Sequence, residues 1–372
     1  MWFIDKLNMH QDHPAGTLPV VGSELVMRFD LATGERVSES PNFKKLEGSY
    51  SSMVTIRCNN TTVSVQGNPS RWNRMDNLFG FPTFSECVKV YNQLLLPLDL
   101  PPFTPCTKRY HLQSGDSERT KVSSDGALID HVDFTRNFSV GCRNEDAFLR
   151  GISSQSIGKG KTAYLYPNGK TVDWYKGSTL LYKKVYQKAF DLLSNRKSRC
   201  KEASKIDEEY YNRLIDWCNE VGLLREEHSF KGPWLRRKNL CFYGMVEESD
   251  FIDYLDDIDN AIQRLSVMKT NYETIAELLK ENNIVASSQS ANATQAVAHK
   301  WLHGMKIEIN SQYYIHKSRL KQIGIDISIP HDITKMPPQI RSNTIIDIAH
   351  LAPPDWYRMP SSKPFMELVH AA

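Results

Sequence analysis

No apolar run in this 372-residue chain approaches the ~20 residues that a membrane-spanning helix needs. The first residues, Met1-Trp2-Phe3-Ile4-Asp5-Lys6, lack the charged start and long apolar core of a secretory leader and read as a strand that begins at once. The expected location is therefore the cytoplasm. Cys58, Cys87, Cys106, Cys142, Cys200, Cys218 and Cys241 contain no CxxC pair, which argues against a zinc ribbon. Their odd, dispersed set argues against a disulfide framework, so free thiols packed as small apolar groups are expected. No Gly-x-x-x-x-Gly-Lys-Ser/Thr run occurs, so a Walker-type nucleotide site is not expected. Internal repeats and low-complexity tracts are also lacking, and so is a strong charge imbalance. The net charge of +3 neither demands nor excludes nucleic acid.

What is present is an ordinary soluble composition, 40% hydrophobic and 24% charged, in a chain long enough for more than one core. Charge is unevenly placed. From Lys183 to Lys205 the cations Lys183, Lys184, Lys188, Arg196, Lys197, Arg199, Lys201 and Lys205 face only Asp191 and Glu202. Lys231, Arg236, Arg237 and Lys238 surround Trp234. Such clusters suit phosphate contacts or a solvated helix face. Between Glu247 and Asp259 the balance reverses, and that acidic segment does not suit a DNA backbone.

The first half reads as β-rich. Val54–Cys58 and Thr62–Gln66 alternate around Asn59-Asn60 as a hairpin, and Leu25–Phe29 before Ala32-Thr33-Gly34-Glu35 suggests an earlier one. Helical spacing covers Ser85–Leu96, followed by a proline-rich connector from Pro97 to Pro105. His111–Gly126 reads as a polar loop, Ala127–Phe134 as a strand, Asn144–Gly151 as a short helix, and Pro167-Asn168-Gly169-Lys170 as a hairpin turn. Asp207–Glu220 reads as a helix stopped by Gly222, and Leu223–Phe230 as a strand. Asp250–Leu265, Tyr272–Glu281, Thr294–His303 and Tyr313–Ile323 read as helices, and Pro360–Ala372 as a frayed tail. The expected class is α+β: an antiparallel-sheet core over residues 1–243, then a helical C-terminal region over 244–372.

Leu180–Phe190 turns from an extended apolar run into an amphipathic helix, with Tyr186 and Lys188 at the junction. A tyrosine beside lysines suits DNA cleavage by transesterification: the phenolic oxygen attacks a phosphodiester and the cation offsets phosphate charge. Tyr182, four residues earlier, leaves the choice of nucleophile open. His131 and Asp133, two apart on a strand, share a face. With Glu227 they offer one nitrogen and two oxygen ligands, suited to Mg²⁺ or Mn²⁺. Glu226 and His228 are the alternatives on the opposite face. Gly67–Gly80 places Arg71 and Arg74 on a loop after the hairpin, either contacting phosphates and bases or forming a plain turn.

As a set these pieces are similar to a known family. Met1-Trp2-Phe3-Ile4-Asp5, Gly67-Asn68-Pro69-Ser70-Arg71, Asn77-Leu78-Phe79-Gly80, His131-Val132-Asp133, Val185-Tyr186-Gln187-Lys188, Leu224-Arg225-Glu226-Glu227 and Pro354-Asp355-Trp356-Tyr357 occur in the expected order. In these the chain resembles the filamentous-phage replication initiators of the gene II/gene X family, most nearly the RstA proteins of vibriophages. The resemblance implies a rolling-circle nickase with an HUH-like core that cuts the plus-strand origin and keeps the 5′ phosphate on a tyrosine. Carried over, the nucleophile is Tyr186, with Lys188 in the following lysine position, and the strand carboxylates are Asp133 and Glu227. From the residues themselves, His131 is expected to join them as a metal ligand, and Arg71, Arg74, Lys183 and Lys184 to face DNA. A paired-histidine HUH motif is not evident. The implied partners are duplex origin DNA and its single-stranded nick region, with a host helicase and polymerase as further candidates. The rival expectation is a non-catalytic origin-binding regulator, which needs neither the metal nor Tyr186.

Overall fold

A computed structural model describes the chain except residues 23, 43, 115–116, 159, 268–274, 303, 332–347 and 364–372. Phe3, Ile4, Leu7 and Met9 turn inward from a strand that starts at the third residue, β1 (Phe3–Asp12). After the short β2 (Val20–Val21), strands β3 (Glu24–Phe29) and β4 (Arg36–Asn42) make a two-stranded sheet among the described residues, forming the first expected hairpin. β5 (Lys44–Gly48) precedes the second hairpin, β6 (Ser52–Asn59) and β7 (Thr62–Gly67), whose turn holds Asn60 at φ 77°. Asparagine tolerates that left-handed geometry better than most residues. Helix α1 (Phe84–Leu95) follows, with Thr83 capping its N-terminus. The stretch from His111 to Gly126 is not a loop: β8 (Arg109–Ser114) and β9 (Ser117–Ser124) make a third hairpin there. Its polar sequence lacks the alternation that would have shown it.

β10 (Leu128–Ser139) runs five residues beyond the strand predicted from apolar content, because Arg136 and Asn137 are buried polar positions with partners. Helix α2 (Glu145–Ile152) and strands β11 (Tyr164–Leu165) and β12 (Thr171–Trp174) lead to β13 (Leu181–Gln187). Chain direction then changes at Gln187 into α3 (Lys188–Arg199), followed by α4 (Lys205–Glu220). β14 (Leu223–Lys231) returns through the sheet, and α5 (Gly232–Lys238) closes the segment. The main antiparallel sheet has the order β11-β12-β13-β14-β10-β1-β7-β6-β2, with β5 also on β6. The architecture is thus mixed α+β, as expected.

α1, with Trp234, Phe242 and Phe251, covers one part of this sheet. α3 and α4 pack with Phe3, Met75 and Phe79 in a separate cluster. Glu248–Tyr254 is a 3₁₀ turn ahead of α6 (Asp257–Val267), whose Ile258 and Ala261 pack against α2 and Val185. α7 (Ile275–Glu281), α8 (Ser288–Leu302) and α9 (Ser311–Gln322) share a cluster of their own. α8 begins six residues before its predicted start, since its first turns are polar. Finally β15 (Ala349–His350) lies beside Phe138 and Ser139, and Tyr357 packs back on Phe79. Most of the predicted tail, Pro360–Ala372, lies outside the described residues. Among the described residues no helix is long and apolar enough to cross a membrane, and the seven cysteines are free thiols.

Candidate functional site

Register decides what meets on the sheet. In an antiparallel pair, residues directly opposite present their side chains to the same face. Lys184 pairs with Glu227, which pairs with Thr135; Tyr186 pairs with Arg225, and that with Asn137. Asp133 lies opposite Ser229 and Lys6. One face therefore carries Tyr182, Lys184, Tyr186, Arg225, Glu227, His131 and Asp133. Val185, Glu226 and His228 lie on the other.

On that face the Tyr186 hydroxyl donates to Glu227 Oε1 at 3.0 Å. The Lys184 ammonium is in ionic contact with Glu227 Oε2 and lies 4.8 Å from the centroid of the Tyr186 ring. His131 Nε2 and Asp133 Oδ1 are 2.7 Å apart. Burial pushes the Tyr186 hydroxyl well above its usual pKa, and the Glu227 carboxylate adds to the shift. Burial also raises Glu227; Lys184 opposes this, while the like charges of Asp5 and Asp133 reinforce it. Asp133 is held below the ordinary carboxylate range: burial works the other way, but the hydrogen bond and charge of His131 prevail. A neutral phenol thus sits against a base whose affinity for a proton has been raised.

The third carboxylate, Asp5, was not singled out from sequence as a site residue. The pairing of β1 with β10 shifts between Ile4 and Lys6, which places Asp5 at an irregular position. Its Oδ1 accepts from Asn68 Nδ2 at 2.9 Å and Asn77 Nδ2 at 2.8 Å. Three of the family-like motifs thus converge on one oxygen. Asp5, Asp133 and Glu227 are hard oxygen donors of the kind a divalent cation takes, and the charges of Asp5 and Asp133 act on Glu227. The donor chemistry fits such an ion. Among the described residues, however, no three His, Cys, Asp or Glu side chains are gathered closely enough to hold one. As packed, the nearest cation to Glu227 is the Lys184 ammonium.

Residues 27–249 match the family model for the N-terminal part of the gene II replication-associated protein, and residues 279–363 match the model for its C-terminal part. Over 317 residues the chain is 34% identical to the gene II replication-associated protein of Escherichia phage If1, covering 83% of this chain and 98% of that relative. The chain belongs to the gene II family of filamentous-phage replication initiators.

In this gene II family chain the remaining predicted site residues divide. Lys188 is buried, its Nζ 3.0 Å from Asn77 Oδ1 and 2.7 Å from Asp191 Oδ2, and burial together with Arg225 pushes it down to about 8. Lys183 is buried on the opposite face, 2.8 Å from Asp257 Oδ2, so the structure does not bring it to Tyr186. Arg74 is tied to the Tyr357 hydroxyl at 2.8 Å and the Ser70 carbonyl at 2.9 Å. Arg71 donates to the carbonyls of Tyr50 and Ser51, its Nε has no hydrogen-bond partner among the described residues, and burial and then Arg199 lower it to about 10. Tyr182 donates to Asp173 Oδ2 at 2.9 Å, away from Glu227. Glu226 and His228 are buried with Arg136.

Proposed function

We propose that this chain nicks and rejoins one strand of the phage replication origin through a 5′-phosphotyrosine at Tyr186. The observation that carries the reading is the Tyr186 hydroxyl donating to Glu227 beneath Lys184. Tyr186 Oη attacks the scissile phosphorus and its proton passes to Glu227. The bond from phosphorus to O3′ breaks, the leaving oxygen takes up a proton from solvent water, and the 5′ phosphate stays on the tyrosine. Rejoining reverses these steps: a 3′ hydroxyl attacks the phosphotyrosine and Glu227 returns the proton to Oη. Because the ester conserves bond energy, no nucleotide is required.

Asp133 and Glu227, with Asp5 and His131 beside them, would hold Mg²⁺ or Mn²⁺, which when bound supplies positive charge to the non-bridging phosphate oxygens. Lys184 supplies the same kind of charge from the protein itself. Arg71, with no carboxylate partner among the described residues, suits a DNA phosphate better than the fully engaged Arg74 does. The core would then be HUH-like in chemistry, acting on origin DNA in the host cytoplasm with a host helicase and polymerase downstream. Supercoiled origin plasmid incubated with the chain and Mg²⁺ tests this. Open-circle product that disappears with EDTA and with Tyr186→Phe supports it. Binding without nicking leaves only an origin-binding regulator.

A further inference from the structure

α9 has two faces of opposite character. Tyr313, His316 and Leu320 are buried in the cluster shared with α7 and α8. Ser311, Tyr314, Ile315, Ser318 and Gln322, at i, i+3, i+4, i+7 and i+11, form an exposed stripe along the helix. Tyr314 is 61% and Ile315 41% exposed, and just before the helix Met305 and Ile309 are 58% and 72% exposed. A surface helix ordinarily keeps such side chains for its buried stripe. Exposed apolar groups in one place mark a contact surface.

Charge identifies the occupant. Between residues 300 and 322, Lys300, Lys306, Lys317, Arg319 and Lys321 face Glu308 alone. Arg319 and Lys321 turn inward, to Thr294 and Ser156. Lys300, Lys306 and Lys317 have no ion-pair partner among the described residues. A protein partner would have to be strongly acidic to match them, whereas duplex DNA supplies anionic charge along its length. The major groove admits one α-helix, where amide and hydroxyl side chains meet base edges and apolar ones meet thymine methyls. The helix is firmly mounted: Asn310 caps its N-terminus, Lys321 Nζ reaches Ser156 Oγ at 2.9 Å, and Gln155 Nε2 reaches the Gly324 carbonyl at 2.8 Å.

We infer that α9 and the segment before it form a second, duplex-DNA-binding surface, with the exposed stripe in the major groove and the free lysines on flanking phosphates. The inference rests on the reading of the substrate as DNA, but not on Tyr186 or its chemistry. The C-terminal helices then hold double-stranded origin while the sheet face handles the strand being cut.

The full-length chain and its double variant Lys317→Glu/Ser318→Glu, neither position being buried, are titrated against a linear duplex bearing the origin of the encoding phage. Anisotropy is read at several salt concentrations, and cleavage of a single-stranded nick-site oligonucleotide is read alongside. The variant should bind duplex roughly tenfold or more weakly, with a shallower salt slope, and cleave the oligonucleotide at the parental rate. Duplex binding and salt slope unchanged in the variant would overturn the inference, as would a parent chain that does not bind duplex. Self-association that the variant loses while keeping duplex affinity would also overturn it, assigning the patch to a second copy. If neither protein cleaves but the variant still loses duplex affinity, this inference stands and the nicking reading falls.

Discussion

Glu227 holds the Tyr186 hydroxyl on one oxygen and the Lys184 ammonium on the other, the two groups to which the proposed cleavage is assigned. To receive a proton it must be ionised, so cleavage is full above its pKa and falls as pH drops through it. Burial, Asp5 and Asp133 raise that pKa against Lys184, and a bound divalent cation would lower it, so the acid limb should move to lower pH as Mg²⁺ is raised. Glu227→Gln should lose the limb along with about 10²–10⁴ in rate, read from single-turnover cleavage across pH. A glutamine variant with the parental profile would remove Glu227 as the base. The two lysines nearby should separate in kind. Lys188→Met leaves Asn77 and Asp191 without their donor and should cost about 1–3 kcal/mol in urea unfolding. Lys184→Met leaves the buried Glu227 carboxylate short of its cation, and its distinguishing mark should be slowed cleavage. The reverse pattern would return the phosphate-facing role to Lys188, where motif position alone puts it. Alternation along β13 is what assigns these roles: Lys183 and Lys184, adjacent in sequence, lie on opposite faces of the sheet.

Strands whose polar residues point outward were legible; those that bury charge were not. The strand-to-helix junction at Tyr186 and the hairpin at Asn60 follow from alternation and turn chemistry, and both stand where the pattern puts them. β14 buries Arg225-Glu226-Glu227-His228 because these charges find partners, Arg136 and His228 for Glu226 and Lys184 for Glu227 among them. No local pattern announces that. Asp5 escaped for the same reason, since its place depends on a β-irregularity and on two asparagines more than sixty residues away. The loop from Gly67 to Gly80, read as a DNA-contacting loop or a turn, works largely as a clamp. Ser70 and Arg225 bind its ends to β1 and β14, and the Tyr357 hydroxyl accepts from Phe79 N at 2.9 Å and donates to Asp76 Oδ1 at 2.6 Å. Tyr357→Phe keeps the ring on Phe79 but strands these groups, and should lower stability by about 1–3 kcal/mol. An unchanged urea midpoint would show that the C-terminal strap does not brace this loop.

Across the whole molecule, the sheet gathers carboxylates, a phenol and an ammonium on one face, while the C-terminal helices carry a basic, partly apolar surface of their own. The family membership fixes the setting as phage replication, and the register across β13, β14 and β10 supplies the chemistry proposed for it. The central claim is that one named oxygen forms the covalent bond to DNA. The direct measurement is peptide mapping by mass spectrometry after trapping the chain on a single-stranded oligonucleotide that spans the nick site, in Mn²⁺. The nucleotide adduct is expected on the peptide containing Tyr186, fragmentation should place it on that residue, and Tyr186→Phe should give none. An adduct on Tyr182, or one that persists in Tyr186→Phe, would contradict the account.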